Sequence, residues 1–182
     1  KMWLYWGRPT SEWNSTYDAD KGEYDSGIFA SPKDQGSVYQ YGALGQNSNT
    51  GDLNGDGADD IFMASGRENY YSSATTSSYT YYSGAVHILE GTPGDRSKWQ
   101  KDFAIYDLTD GDSSLPTHHW IYSNNQYDYF GYFPQSGDFN GDSYQDLLVT
   151  NGYSTPKDTV IIWGDGTWDN FGGDGWDDRA YY

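Results

Sequence analysis

The sequence predicts an all-β fold, and three observations lead to that prediction. The composition is rich in Tyr (19), Trp (8) and Gly (23), which suits short, half-buried strands and tight turns better than helices. Short apolar runs end at a glycine several times along the chain, and an Asp-rich loop followed by an apolar run occurs twice. Such internal repetition is typical of folds that stack one supersecondary unit several times.

Three apolar runs share one pattern, in which a predicted strand ends at a glycine and a Trp follows. The runs are Met2–Trp6 before Gly7, Ala85–Glu90 before Gly91, and Thr159–Trp163 before Gly164. Three matched strand ends predict an internal repeat. Aromatic and β-branched residues also predict strands at three further places, namely Tyr79–Tyr82, Phe103–Tyr106 and Trp120–Tyr122.

Two loops of the same design each lead into a further predicted strand, Ile61–Ala64 or Leu147–Thr150. Positions 1, 3, 5 and 9 of each loop carry a side chain with an oxygen donor. Calcium takes roughly six to eight oxygen ligands from carboxylates, amides and backbone carbonyls, and alternate loop positions can face one ion. We therefore predict two calcium sites, the first with Asp52, Asn54, Asp56, the carbonyl of Ala58 and Asp60, and the second with Asp138, Asn140, Asp142, the carbonyl of Tyr144 and Asp146.

The loops differ from an EF-hand, which needs a bidentate Glu at position 12. Met63 and Val149 occupy that position here, so a closed loop entering a strand fits better. The alternative is a surface Asx turn without metal, but three carboxylates in so short a loop repel one another when no cation is bound. Asp59 has Gln145 as its counterpart in the second loop, and we interpret Asp59 as a solvated charge rather than a ligand.

The tail of the chain contains a degenerate copy of the first loop. Asp174 and Asp178 fall in its second half, while Asn170 and Gly172 occupy positions 1 and 3. The tail is interpreted either as a third, weakened calcium site or as a Gly- and Asp-rich terminal turn without metal.

The charge and the residue types exclude several classes of protein. A formal net charge of -17 disfavours nucleic acid as a partner, because proteins bind the phosphates of nucleic acids through Lys and Arg. The same charge favours uptake of cations. The chain has no Cys, so disulfides do not stabilise it. Because no run approaches the roughly 20 apolar residues of a membrane span, we predict no membrane insertion.

The loops and their surroundings resemble the FG-GAP repeat of integrin α-subunit propellers and of many bacterial extracellular proteins. The resemblance is carried by Tyr41-Gly42 and Phe130-Gly131 before the loops, by the loops themselves, and by the apolar strands after them. It implies a β-propeller in which each repeat is a four-stranded blade and the calcium loop joins two of its strands. Ser143 stands where the family has a loop glycine, so the second site is expected to bind calcium more weakly.

The resemblance also sets the expected domain organisation. We expect one propeller segment over 1–182, with repeat 1 at about 37–91, repeat 2 at about 128–164, and partial repeats at 1–7 and 165–182. Closed propellers have about four to eight blades, so two full repeats predict an incomplete ring. A fragment of a longer polypeptide is the favoured interpretation, and self-assembly of copies through open strand edges is the second.

The resemblance implies an extracellular or cell-surface module for adhesion, ligand binding or structural assembly, with a protein or glycan as partner. Trp120 and Tyr127 are candidates for stacking on sugar rings because they lie in a long connection. The other Trp residues are interpreted as packing residues within or after strands, namely Trp3, Trp6, Trp13, Trp99, Trp163 and Trp168.

An enzymatic alternative is a lyase-like site in a polysaccharide-degrading protein. His118, His119 and Tyr122 would exchange protons with the substrate, near a basic cluster of Arg96, Lys98 and Lys101. Adjacent histidines beside a Trp more often have surface or packing roles, and His87 within an apolar strand is interpreted as a core histidine. We therefore predict no catalytic residue.

Overall fold

The computed structural model describes residues 2–29, 44–68, 70–71, 79–80, 82–99, 102–105, 113–123, 125–152, 159–164 and 166. Helical conformation in these residues is confined to two 3-10 helices, Thr10–Glu12 and Ala19–Lys21, and to Ile105. The strands are β1 Met2–Leu4, β2 Ser26–Phe29, β3 Ser48–Gly51, β4 Asp60–Ser65, β5 Tyr70–Tyr71, β6 Tyr79–Thr80, β7 Ala85–Leu89, β8 Asp102–Ala104, β9 His118–Tyr122, β10 Gln135–Gly137, β11 Asp146–Thr150 and β12 Thr159–Ile162. The prediction of an all-β fold is confirmed.

The strands form three larger sheets and one two-stranded ribbon. Sheet I has the order β1-β2-β8, sheet II β3-β4-β7-β9, and sheet III β10-β11-β12, while β5 pairs with β6. All pairs are antiparallel except β2 and β8, which are parallel. After β7 the chain returns to sheet I as β8, and β9 then completes sheet II. Within the described part of the chain, these sheets do not close into a barrel.

Sheet II is packed between the two other sheets. One of its faces shares a buried cluster with sheet III: Leu53, Phe62, Val86, Ile88, Ile121, Phe130, Leu147, Val149 and Ile162. Its other face shares a second cluster with sheet I and its connections: Ile28, Leu44, Met63, Leu89, Phe103, Ile105 and Leu115. β7 is therefore buried along its whole length, which explains why its sequence is apolar on both faces, apart from His87, and does not alternate.

Several strands were not predicted from their sequences, including β3 and β10, which precede the two Asp loops. Both are short and polar, and their sequences lack the apolar alternation that predicts a strand. They lie side by side at the edges of sheets II and III, where Ser136 Oγ donates to the Thr50 carbonyl at 2.7 Å. Their position depends on pairing with β4 and β11, not on their own apolar content.

The aromatic-Gly pair Phe130-Gly131 connects sheets II and III. Phe130 is buried in the cluster between them, and Gly131 has a φ of 82°. A Cβ on Gly131 would meet the backbone of Ala85 in β7, so only glycine permits this close approach. The corresponding Tyr41-Gly42 lies outside the described residues.

The described helices include none with the length and apolar character needed to cross a membrane.

Candidate metal sites in two Asp loops

The two Asp loops, residues 52–60 and 138–146, occupy equivalent places in sheets II and III. The first joins β3 to β4, and the second joins β10 to β11. The antiparallel register pairs Gly51 with Asp60 in one sheet and Gly137 with Asp146 in the other. In each sheet, the residue before the loop, a Gly, therefore pairs with the last residue of the loop, an Asp.

The first Asp of each loop closes the turn by accepting backbone hydrogen bonds. Asp52 Oδ1 accepts from the N–H of Asp56 at 3.0 Å, and Oδ2 accepts from Gly57 at 2.9 Å. Asp138 accepts the two equivalent bonds, from Asp142 at 3.1 Å and from Ser143 at 2.9 Å, and a third from Gly141 at 2.6 Å. The same residue type at the same position thus makes the same contacts twice.

The Asn at loop position 3 turns its oxygen toward the same N–H group as the first Asp. Asn54 Oδ1 accepts from Asp56 N at 3.1 Å, and Asn140 Oδ1 accepts from Asp142 N at 2.9 Å. Because Asp and Asn oxygens share one donor, positions 1 and 3 lie close together in each loop.

The Asp at position 5 folds back over the same turn. Asp56 Oδ1 accepts from Ala58 N at 2.8 Å, and Asp142 Oδ1 accepts from Tyr144 N at 2.9 Å. The side chains at positions 1, 3 and 5 thus accept hydrogen bonds from the backbone N–H groups of one turn in each loop.

Asp60 and Asp146, at position 9, are fully buried and connect each loop to the end of a later strand. The Oδ2 atoms accept from Leu53 N at 2.9 Å and Phe139 N at 2.7 Å. The Oδ1 atoms accept from the N–H groups of two strand-ending glycines, Gly91 at 3.0 Å and Gly164 at 2.9 Å.

The hydrogen bonds to Asp60 and Asp146 explain why glycine recurs at the strand ends, which the sequence pattern alone did not explain. A Cβ on Gly91 would collide with the carbonyl oxygen of Asp59, and one on Gly164 would collide with that of Gln145. A Cβ on Gly7, in contrast, would meet no atom within 4 Å. The first of the three matched strand ends therefore lacks the contact that defines the other two.

Burial raises the pKa of Asp60 to about 7. The N–H groups of Leu53 and Gly91 oppose that rise, while the charges of Asp56 and Glu90 add to it. A divalent cation close to a carboxylate favours its ionised form. The protonation state of Asp60, at position 9 of the first loop, therefore depends strongly on the charges around it.

The donor chemistry of both loops fits calcium, because every predicted ligand is an oxygen and calcium prefers oxygen. Among the residues that the structure describes, however, no three His, Asp or Glu side chains are gathered as a metal site. Positions 1, 3 and 5 face one turn, whereas position 9 faces backbone N–H groups. The two sets of calcium ligands remain predictions, and the third candidate site, near Asp174 and Asp178, lies outside the described residues.

The loops differ at positions 6 and 7. Gly57 has a φ of 90°, and its counterpart Ser143 has a φ of 79°, a left-handed conformation that costs a non-glycine residue free energy. The ring of Tyr144 lies so close to Gly55 and Gly166 that a Cβ on them would stand 2.8 and 2.6 Å from it. The second loop therefore packs its own aromatic ring against the first.

The histidines predicted for the lyase-like alternative point away from each other. His118 and His119 are neighbours on β9, so their side chains lie on opposite faces of sheet II. His118 Nε2 bonds to His87 Nδ1 at 2.9 Å, and His87 Nε2 bonds to Glu68 Oε2 at 2.6 Å. His119 Nε2 bonds to Glu90 Oε1 at 2.7 Å. The structure therefore does not bring the two histidines into one site.

The chain Glu68–His87–His118 is a buried polar group that sequence reasoning missed. His87 and Glu68 are buried, which confirms His87 as a core histidine with partners. Desolvation, together with the nearby His87 and His119, lowers the pKa of His118 well below its usual value. His118 is therefore neutral near pH 7, and one of the two facing nitrogens, His118 Nε2 or His87 Nδ1, carries the proton of their hydrogen bond. Of the predicted basic cluster, Lys101 lies outside the described residues.

The aromatic candidates are distributed differently from the prediction. Trp120 stacks on His87 at 6.3 Å and contacts Tyr122 at 5.1 Å, while Tyr127 is 53% exposed. The interpretation as packing residues is wrong for Trp163, which is 47% exposed, while Trp3 and Trp13 are 36% and 40% exposed and Trp13 also packs edge to face on Tyr17. The places of Trp3, Trp13 and Trp163, at a sheet edge, in a surface turn and on an open face of sheet III, are set by tertiary structure and not by the local pattern.

Comparison with known families gives a specific match. Residues 45–89 and 130–163 match the family model named FG-GAP repeat. Each matched segment contains one Asp loop, the strand after it and a further paired strand, β7 or β12. FG-GAP repeats are propeller blades and typically non-catalytic modules, and the predicted recognition and fold class are confirmed. A search of curated proteins found no match to the chain.

Proposed function

We propose that this chain, a member of the FG-GAP repeat family, is a calcium-binding β-propeller segment that acts as an adhesion, ligand-binding or assembly module outside the cell or on its surface. The observation that carries the proposal is the pair of Asp loops. At positions 1, 3 and 5 they have the same oxygen-bearing residue types and the same backbone hydrogen bonds, in two different sheets.

Calcium in these loops would stabilise the fold electrostatically. The chain has a formal net charge of -17 and no Cys, so self-repulsion acts on a protein that disulfides do not hold together. Each loop joins two strands of one sheet, and its last Asp also binds the end of a later strand. A cation there lowers the repulsion among the loop carboxylates and holds three strands of each sheet in register.

Calorimetric titration with CaCl₂ tests the metal proposal directly. We expect two binding sites in the parent protein, one in Asp52→Ala, one in Asp138→Ala, and none in the double variant. Asp59→Asn is the matched control, because it removes a charge from the first loop at a position that we do not assign as a ligand, and it should retain both sites. A chelator should lower the melting temperature, since a ligand that binds only the folded state stabilises it.

Two results would contradict the calcium proposal. One is a melting temperature that a chelator leaves unchanged. The other is a calcium stoichiometry that stays the same in Asp52→Ala and Asp138→Ala. Either result would leave the loops as metal-free turns that connect strands through Asp60 and Asp146.

An open apolar face on sheet III supports the proposal of an incomplete ring. Ile161 is 40% exposed, Trp163 47% and Phe139 48%. A further blade would cover such a face in a propeller, and in its absence a second copy of the chain is the competing occupant. Sedimentation at increasing concentration separates the two: self-association that Trp163→Ser abolishes supports assembly of copies, and a monomer at all concentrations supports a blade supplied by a longer polypeptide.

The lyase-like alternative has less support, because His118 and His119 lie on opposite faces of β9. An assay on acidic polysaccharides tests it. We expect no cleavage. Turnover by the parent that disappears in His118→Ala or His119→Ala would overturn the non-catalytic proposal.

A further inference from the structure

A cavity of about 250 Å³ lies beside the first Asp loop, between that loop, the turn after β7 and two indole rings. Sites for drug-sized molecules measure roughly 300 to 1,000 Å³, so this cavity suits a ligand of about one ring. The surrounding residues combine aromatic, hydroxyl, charged and backbone groups. They are Trp6, Ala58, Asp59, Ile61, Gly91, Thr92, Gly94, Asp95, Arg96 and Trp99.

Two tryptophans give the cavity a fixed aromatic wall. Trp6 and Trp99 meet edge to face, with centroids 5.5 Å apart and planes at 80°. Trp99 also contacts Phe103 at 6.1 Å and packs against the buried cluster between sheets I and II. Trp6 is held by its backbone N–H, which donates to Asp25 at 2.8 Å. Such rings lose little conformational entropy when a ligand stacks on them.

Hydrogen-bonding groups of both charges surround this wall. The Arg96 guanidinium lies over the Trp6 ring, 5.1 Å from its centroid. Asp95 accepts from Ser97 N at 2.7 Å, which contributes to a lowered pKa and an ionised carboxylate at neutral pH. Asp59 is exposed at the rim, where it accepts from Thr50.

The balance of charges selects against a strongly charged ligand. An anion that approaches Arg96 also meets the carboxylates of Asp59 and Asp95, while a cation that approaches those carboxylates meets the guanidinium. A neutral ligand with several hydroxyl groups satisfies both, because carboxylates accept from hydroxyls and guanidinium N–H groups donate to them. Its apolar C–H groups would pack against the indole rings.

We propose that this cavity binds one neutral pyranose ring of a glycan. The proposal deepens the ligand-binding function proposed above and rests on it only for the choice of a glycan over a protein ligand. One of the two indoles would lie against the face of the pyranose ring, and the other, whose plane stands at 80° to the first, would contact the edge of the ring. Asp59, Asp95 and Arg96 would bind its hydroxyl groups. The site differs from the positions that the sequence indicated for sugar stacking, Trp120 and Tyr127.

Saturation-transfer NMR and Trp fluorescence titration with glucose, galactose, mannose and N-acetylglucosamine, in buffer with calcium, test the proposal. We expect saturation of the ring protons of at least one sugar and a saturable change in fluorescence. Trp6→Ala should weaken binding about tenfold, the factor that corresponds to losing one good aromatic contact. Arg96→Ala and Asp59→Asn should each weaken it severalfold, and both change exposed side chains, so they test the site if Trp6→Ala does not fold.

Trp13→Ala is the matched control. Trp13 also lies under an arginine, with Arg8 5.2 Å from its centroid, and it is 40% exposed, but it is outside the cavity. The Trp13→Ala variant should bind the sugar as the parent protein does. Absence of saturation transfer for all four sugars would overturn the proposal, as would binding that survives in Trp6→Ala, Arg96→Ala and Asp59→Asn.

The calcium titration separates this result from the proposed function. Two calcium sites without sugar binding would overturn the cavity assignment alone. Sugar binding to a protein that takes up no calcium would overturn the metal proposal and leave the cavity assignment standing.

Discussion

Sheets II and III contain the same repeat, but their surroundings differ. β4 and β7 in sheet II are buried on both faces, because sheet I covers one face and sheet III the other. Among the described residues, sheet III is buried against sheet II, and Ile161 and Trp163 lie exposed on its opposite side. The repeat therefore specifies the strands and loops, whereas the burial of those strands depends on which sheets lie beside them.

The second residue of each Asp loop shows this at a single position. The N–H groups of Leu53 and Phe139 both donate to the last Asp of their loop. Leu53 is 0% exposed because it belongs to the buried cluster between sheets II and III, while Phe139 is 48% exposed. The local hydrogen bonds are the same in the two loops. The exposure of the side chain differs, because a neighbouring sheet covers Leu53 and leaves Phe139 exposed.

The largest expected effect comes from the difference in burial. Phe62→Ala in β4 should lower the free energy of unfolding by about 3–5 kcal/mol, the usual cost of removing a fully buried ring. Ile161→Ala in β12 should cost about 1 kcal/mol or less, because much of that side chain is already in water. Urea-induced unfolding followed by Trp fluorescence measures both. Equal costs would show that the exposed face of sheet III is covered in solution.

A second prediction examines what the sheets share. Gly91→Ala and Gly164→Ala should each lower the free energy of unfolding by about 1–3 kcal/mol, because the added methyl group collides with a backbone carbonyl. Gly7→Ala is the control, since its Cβ would meet no atom within 4 Å, and it should change stability by less than about 0.5 kcal/mol. Thermal unfolding of the three variants decides this. Three equal values would contradict a common role for the two glycines at loop-linked strand ends.

A smaller effect is expected from the residue at loop position 6. Ser143→Gly should stabilise the protein by about 0.5–1 kcal/mol, because a left-handed φ costs serine more than glycine while glycine costs more entropy on folding. Gly57→Ser should destabilise it by about the same amount. Chemical unfolding without calcium measures the backbone term, and calcium titration of Ser143→Gly then shows whether this residue weakens the second site.

The last prediction concerns a feature of sheet II, the buried chain Glu68–His87–His118. The folded state keeps His118 neutral because its pKa is lowered, whereas the unfolded chain binds a proton below about pH 6.5. The unfolded state therefore binds more protons in acid, and the stability contributed by neutral His118 is present above pH 6.5 and decreases as the pH falls.

His118→Gln should reduce this decrease in stability between about pH 8 and pH 5. Tyr122→Phe is a control on the same strand whose side chain does not titrate in that range, and it should keep the slope of the parent. Unfolding free energies at several pH values measure the difference. A slope in His118→Gln that equals that of the parent would exclude a contribution from His118.

Much of the fold was predictable because the signals were local and repeated. Asp-rich loops followed by apolar runs predicted β4 and β11, and runs ending at glycine predicted β7 and β12. β3 and β10 were not located, since their polar residues form strands only when β4 and β11 pair with them. The interpretation of Trp163 as a packing residue was wrong because the local sequence does not report whether another sheet covers it.

The candidate sites divide in the same way. The oxygen donors at loop positions 1, 3 and 5 were identified from spacing, and the structure gathers each set at one turn. The role of Asp60 and Asp146 in holding Gly91 and Gly164 was not predicted, because the partners are 31 and 18 residues away in sequence. The cavity beside Trp6 and Trp99 was missed for the same reason, since β1 and the turn after β7 meet only in the folded chain.

The sequence by itself determined the β class, the repeat and the two oxygen-rich loops, because each depends on residues within about one turn or one strand of each other. Tertiary structure decided which faces are buried, which way His118 and His119 point, and where indole rings and charged groups enclose a cavity. Those outcomes depend on pairing and packing between segments far apart in the chain, whose relative positions no local pattern records.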